Sequence, residues 1–215
     1  PAKRLTRPRC NTAAGDRGNS SMRTDEPIMT LQAHILEQQV HYPEATGTFS
    51  WILSALSISA KVIADKVRRA RLENVLGAVG HENVQGEQQQ KLDVIANEVL
   101  LRTLGRREGV AIVASEENEE PVIIRDDVQG ERRYCVLFDP LDGSSNLDVC
   151  GGVGTIFSIL RHDRRATRAQ DSLLQPGVQQ VAAGYVRYGP STVRVVAIDQ
   201  GVDLVVPDTR TPAIR

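Results

Sequence analysis

Asp139 and Asp142 stand three residues apart in Phe138-Asp139-Pro140-Leu141-Asp142-Gly143-Ser144-Ser145-Asn146, directly after the apolar run Tyr134-Cys135-Val136-Leu137-Phe138. The run reads as an interior strand, bounded by charge before it and by turn residues after it. Both carboxylates then sit at the strand's carboxyl end, where open α/β sheets hold their ligands. Pro140 has no amide donor and is expected to help stop the strand, while Gly143 lets the chain turn. The amides and hydroxyls of Gly143, Ser144 and Ser145 can cradle a phosphate oxygen, as turn nests do. An Asp-Pro or Asp-Gly step alone reads as a turn that satisfies its own backbone. The whole run is far more specific, and it suits a divalent cation holding a phosphate.

A second acidic pair points the same way. Gly109-Val110-Ala111-Ile112-Val113-Ala114 reads as another apolar strand and ends in Ser115-Glu116-Glu117. Two strands that finish in carboxylates can aim them at one place, and hard cations such as Mg²⁺ take oxygen ligands. Carboxylates against a low-dielectric wall are costly to ionise and repel one another, so a shared cation is the natural compensation. Upstream, Gly86-Glu87-Gln88-Gln89-Gln90-Lys91-Leu92-Asp93 opens a helix with Leu92, Ile95, Val99 and Leu100 on one face. Taken alone it is an acidic helix start of the kind the macrodipole favours.

Together these residues resemble the class I fructose-1,6-bisphosphatases, within the Mg²⁺-dependent, Li⁺-sensitive sugar and inositol phosphatases. The superfamily resemblance rests on Glu116-Glu117 and Asp139 to Ser145. The narrower one adds Thr46-Gly47-Thr48-Phe49-Ser50-Trp51-Ile52-Leu53, Gly86-Glu87-Gln88 with Lys91-Leu92-Asp93, Gly154-Thr155-Ile156-Phe157-Ser158-Ile159, and Leu174-Gln175-Pro176-Gly177 with Ala182-Ala183-Gly184-Tyr185. It runs from about Met29 to about Asp208. The resemblance implies that Glu116, Asp139, Asp142 and the main-chain carbonyl of Leu141 bind two or three Mg²⁺ per site, with Mn²⁺ as an alternative. It implies that Glu87 and Asp93 lie on a loop closing over the metals, and that Glu117 and Asp93 orient and deprotonate the attacking water. Asp142, Gly143, Ser144 and Ser145 would hold the 1-phosphate of a sugar bisphosphate. The family's further metal-binding glutamate, and the residues gripping the 6-phosphate and the sugar, come from a C-terminal domain beyond Arg215. The chain is therefore expected to be an incomplete, inactive fragment, or one whose reading frame was lost.

A second site is expected at the amino-terminal helix. Thr46, Gly47, Thr48 and Ser50 open a helix whose positions 49, 52, 53, 56, 60, 63 and 67 are apolar, so amides and hydroxyls gather at its positive end. Thr and Ser there are ordinary caps on the simpler reading. The resemblance to animal members adds a phosphate site for the inhibitor AMP, with Arg133, Tyr134 and Arg161 at the matching positions.

The chain has 215 residues, 40% hydrophobic and 4% aromatic, with a net charge of −1. That gives no reason to expect nucleic-acid partners, and no uninterrupted apolar run approaches the roughly 18 residues that span a bilayer. Cys10, Cys135 and Cys150 show no ligand spacing and fit a reducing compartment, which with the resemblance implies a cytoplasmic location, or a plastid as the alternative. Cys135 is expected to be a buried apolar filler. His34, His41, His81 and His162 likewise lack ligand spacing.

Residues 1–28 read as a disordered basic head or leader, 29–208 as an N-terminal metal-binding and allosteric-type domain, and 209–215 as a truncated tail. Helices are expected at about 31–40, 48–72 and 88–105, and strands at about 110–115, 120–125, 133–139, 154–161, 179–188, 192–199 and 202–206. Helices before a run of strands argue for an α/β layered fold, helices packed on a mixed β-sheet. The family's α/β/α layering fits that order. The expected function is hydrolysis of fructose 1,6-bisphosphate to fructose 6-phosphate and phosphate, in gluconeogenesis or the Calvin cycle, by a protein that is a homotetramer when complete. Sedoheptulose 1,7-bisphosphate is the alternative substrate, and a non-catalytic module binding a nucleotide or partner through the Thr46 helix is the alternative class.

Overall fold

The computed structural model describes residues 47–82, 88–125, 133–163, 169–198 and 201–205. The expected helix at 31–40, Thr46 and Glu87 lie outside them.

Helix α1 (Gly47–Arg69) buries Ile52, Leu53, Ala55, Leu56, Ser59, Ala60, Ile63 and Ala64. This is the stripe that the apolar spacing predicts. Lys66, Arg68 and Arg69 close its last turn, where cations meet the negative end of the dipole. By length and composition α1 could cross a bilayer. Its apolar side is instead spent on the protein core, and Lys61, Asp65 and Lys66 interrupt its sequence. The helix stops three residues before the expected end, in a turn where Asn74 adopts a φ of 54°.

Helix α2 (Lys91–Gly105) presents Leu92, Ala96, Leu100 and Leu104 to α1 and to the sheet. Each buried leucine there contributes roughly 1.5–3 kcal/mol. The expectation that this helix starts at 88 is corrected. Gln88–Gln90 form a short strand, β2, antiparallel to β1 (Ala78–Glu82).

The main sheet has seven strands in the order β4-β3-β5-β6-β7-β8-β9. These are β3 (Val110–Ser115), β4 (Val122–Ile123), β5 (Tyr134–Asp142), β6 (Val153–Arg161), β7 (Gln180–Tyr188), β8 (Val193–Ile198) and β9 (Gly201–Val205). β3 and β5 run parallel and every other neighbour is antiparallel, so the sheet is mixed, as expected. The strand expected at 120–125 shortens to Val122–Ile123.

One face of the sheet carries Val136, Phe138, Phe157, Ile159, Ala182, Val186 and Val196 into a single core with α1 and α2. The other face holds a small cluster of Ala111, Ile112, Cys135 and Leu160 with Leu137 and Leu173 packed on it. Burial pushes the Cys135 thiol up to about 12, in keeping with its role as filler. Further across, this face opens into a broad hollow of about 660 Å³ bordered by Leu137, Ile156, Tyr185 and Val195. Ile156, Tyr185, Val202 and Leu204 stand exposed on that side.

At the far end of the sheet, Arg194 is buried against α1 and donates to the Ser57 hydroxyl. Ser57 in turn donates to the Leu53 carbonyl at 2.8 Å. Burial lowers the Arg194 pKa to about 10, against the favourable charge of Asp203 on β9.

Gly184 lies where β7 passes closest to its neighbours. A side chain there would overlap the Val195 carbonyl and the Phe157 ring. Gly184→Val is therefore expected to cost about 1–3 kcal/mol of stability, read as a lowered urea midpoint. An unchanged midpoint would show that β7 and β8 have room that this packing denies.

Candidate functional site

The expectation that Pro140 stops the strand is corrected: β5 runs through the motif to Asp142. Asp139 pairs with Ile156 and Asp142 with Gly154, so three steps on β5 oppose two on β6. That is a bulge, one extra residue in one strand. Side chains three apart in a regular strand point to opposite faces; the extra residue returns Asp142 to the side of Asp139. Pro140 suits the place because the inserted residue needs no ladder donor. The Leu141 amide donates to the Asp139 carboxylate at 2.9 Å.

Glu116 follows β3, and its amide donates to the Phe138 carbonyl at 3.1 Å. This continues the β3–β5 pairing one residue further and sets Glu116 beside Asp139. The two side chains share a hydrogen bond. Glu117 accepts a 2.6 Å hydrogen bond from the Gln89 amide of β2.

Asp93 approaches from the start of α2. One of its oxygens accepts from the Gln90 amide at 2.6 Å, closing the helix cap, and Ser144 also hydrogen-bonds the carboxylate. Its other oxygen is buried without a partner among the described residues. Asp93 thus caps α2 with the same carboxylate that feels the charges of Glu117 and Glu116.

Gly143 takes the left-handed conformation, φ 75°, that the sharp exit requires. Beyond it the chain forms a short 3₁₀ helix, Ser144–Val149, and not the open turn that the Gly-Ser run suggests. Arg71, just after α1, steadies this helix by donating to the Asp148 carbonyl at 2.8 Å.

The electrostatics stem from this crowding. Burial raises the Asp139 pKa to about 8, helped by the hydrogen bond and charge of Glu116 and by the charge of Asp142. Burial likewise raises Asp93 to about 6, with Glu117 and Glu116 adding to it. No basic side chain is among the groups that set either value.

Among the described residues, no three His, Cys, Asp or Glu side chains form a ready-made cage. Mg²⁺ in any case takes one or two carboxylates and keeps several waters. The donor set, all hard oxygen with an orphaned carboxylate atom on Asp93, fits such an ion.

The second cluster lies at the other end of β5, about 17 Å from Asp139 along the strand. Phe49 of α1 packs on Tyr134 with ring centroids 5.7 Å apart. Arg161, the register partner of Tyr134, sets its guanidinium 5.8 Å from the same ring. Arg133 accepts a backbone hydrogen bond from His162 at 2.9 Å. Gly47, Thr48 and Ser50 open α1 beside this group.

Sequence reasoning missed several residues of the acidic site. Gln89 could have been suspected from its place in the polar run after Glu87. Asn97 and Asn118, joined by a 2.8 Å hydrogen bond, tie α2 to the loop carrying Glu117, and no spacing in the sequence pairs them. Arg187 lays its guanidinium against Gly152 and is the register partner of Gly154. Only the strand register reveals that relation.

Residues 29–212 match the family described as "Fructose-1-6-bisphosphatase, N-terminal domain". The class 1 fructose-1,6-bisphosphatase of Nitratidesulfovibrio vulgaris (strain DP4) is 48% identical over 179 residues, covering 82% of this chain and 52% of the relative. That of Chlorobium phaeovibrioides is 46% identical over 177 residues, covering 81% and 53%. The crystal structure of Leishmania major fructose-1,6-bisphosphatase in holo form superposes with a TM-score of 0.75 at 33% identity, covering 85% of this chain and 56% of that one. The chain spans about half the length of the curated relatives it matches. With the motif run, the mixed sheet and the gathered carboxylates in agreement, the chain belongs to the class 1 fructose-1,6-bisphosphatase family, whose N-terminal domain it carries.

Proposed function

We propose that the chain supplies the metal-binding half of an enzyme that hydrolyses the 1-phosphate of fructose 1,6-bisphosphate. The observation that supports this most is the placement of Glu116 beside Asp139, through the Glu116 amide and the Phe138 carbonyl, with Asp142 brought to the same side by the bulge and no basic side chain among the groups that bear on Asp139. Glu116, Asp139, Asp142 and the Leu141 carbonyl would hold Mg²⁺, with Asp93 beside them. Divalent cations so held lower the pKa of water and clamp phosphate oxygens. The chain's own groups do the rest. Amides and hydroxyls of Gly143, Ser144 and Ser145 hold the 1-phosphate against the carboxylates. Glu117, steadied by Gln89, works with Asp93 to orient the attacking water and accept its proton. As water attacks phosphorus the bond to the sugar oxygen breaks, and a proton returns to that oxygen.

Phosphate release with Mg²⁺ from a protein joining this chain to the family's C-terminal half tests the reading. Asp139→Asn and Glu117→Gln are each expected to lower kcat by roughly 10²–10⁴-fold. Turnover at the parental rate in either variant would refute the assignment.

A second expectation concerns stability. Because Asp93 and Asp139 have raised pKa values, the metal-free folded state binds more protons than the unfolded state between about pH 4 and about pH 8. Stability contributed by these groups therefore falls as pH rises through that window. Urea midpoints measured with a chelator present should show the fall in the parent and a shallower one in Asp139→Asn. Equal slopes would mean that the carboxylates do not crowd as described.

At the other end of β5, the basic and aromatic cluster at the start of α1 supports a site for the phosphate of AMP. Arg161→Ala is expected to weaken AMP binding about 10-fold or more, measured by calorimetry. Identical AMP binding by parent and variant would dismiss this second site.

A further inference from the structure

The bulge that brings Asp139 and Asp142 to one side leaves a buried backbone group to be satisfied. Pro140 falls inside the register shift and has no partner of its own on β6. It is buried, so its carbonyl needs a donor from elsewhere. The Thr155 hydroxyl supplies it at 2.8 Å. Thr155 lies on β6 between Gly154 and Ile156, the two residues that pair with Asp142 and Asp139.

The same hydroxyl oxygen is 2.7 Å from the Tyr188 hydroxyl. A carbonyl can only accept, so the Thr155 proton is committed to Pro140, and Tyr188 must be the donor to Thr155. The result is a directed chain, Tyr188 O–H to Thr155 O–H to the Pro140 carbonyl, in which each bond polarises the next. Both side chains are 2% exposed, and nothing in the proposed chemistry uses either of them. Neither touches the carboxylates. What they hold is Pro140, one of the two bulge residues, Pro140 and Leu141, that together face Thr155 and set which way the carboxylates point.

We propose that Thr155, backed by Tyr188, is the positioning residue of the acidic site: its hydroxyl pins the Pro140 carbonyl and thereby keeps Asp139 and Asp142 on one side of the sheet. This rests on the reading of that site as a metal centre. Residues that orient metal ligands typically cost 10- to 100-fold in affinity when replaced.

The test is Mn²⁺ binding by the full chain, followed through the electron paramagnetic resonance signal of free Mn²⁺, with urea unfolding measured in parallel. Thr155→Val keeps the shape and removes the donor, and should weaken Mn²⁺ binding about 10- to 100-fold. Tyr188→Phe, which removes only the backing bond, should weaken it less. Thr155→Ser keeps the hydroxyl and should bind close to the parent. Val186→Ala serves as the control, since Val186 is the buried apolar register partner of Thr155; it should lose stability and keep its Mn²⁺ affinity.

Parental affinity in Thr155→Val, with binding lost in Asp139→Asn, would overturn the positioning role and leave the metal centre standing. An equal loss of affinity in Val186→Ala would also overturn it, by showing that any packing defect has the same effect. Parent and Asp139→Asn binding Mn²⁺ alike would overturn the metal centre itself, and this inference with it.

Discussion

Two carboxylates at an odd spacing in a β-strand belong on opposite faces of a sheet, and the one residue that breaks this rule organises the whole site. The inserted position on β5 returns Asp142 to the side of Asp139. The other parts of the site depend on that return. Glu116 reaches Asp139 because β3 pairs in parallel with β5 one residue beyond its last ladder partner. Asp93 arrives because α2 begins against the same end of the sheet, with its first turn closed by its own carboxylate. The core beneath, shared by α1, α2 and β5 to β8, fixes the distances between these elements.

Charge is the second constraint, and it opposes the first. Packing carboxylates at the edge of a buried sheet raises the cost of ionising each of them. Donors from Ser144, Gln90 and Leu141 offset part of that cost. Hydrogen bonds of this kind position a carboxylate without neutralising it, which leaves the group strongly attractive to a hard cation. Stability and ligand affinity thus pull on the same side chains from opposite directions.

The sequence made much of this legible, for identifiable reasons. Segments rich in Val, Ile, Leu, Ala and aromatic residues, bounded by turn residues, marked β3 and β5 to β9, because a strand buried on at least one face must supply apolar side chains to it. Of the positions 49, 52, 53, 56, 60, 63 and 67 that the helical period selects in α1, Phe49 and Val67 are partly buried and the other five are buried. What escaped was geometry without a composition signal. Ala78–Glu82 and Gln88–Gln90 pair as strands although neither alternates polar with apolar residues. Pro140 reads in sequence as a strand terminator, and only the cross-strand register shows the strand continuing past it. The acidic residues could be gathered from their types and strand ends. Thr155, Tyr188 and Asn97 could not, since each works through a partner far away in the chain.

The uncovered side of the sheet bears on how such a protein is made. Strands β5 to β9 pair mostly with their immediate successors along the chain, a local arrangement that assembles early and with little loop-closure cost. On a ribosome this meander would be complete while Ile156, Tyr185, Val202 and Leu204 still face water. Bare β surface of that sort is where newly synthesised chains stick to one another, so the exposure of these residues favours such association.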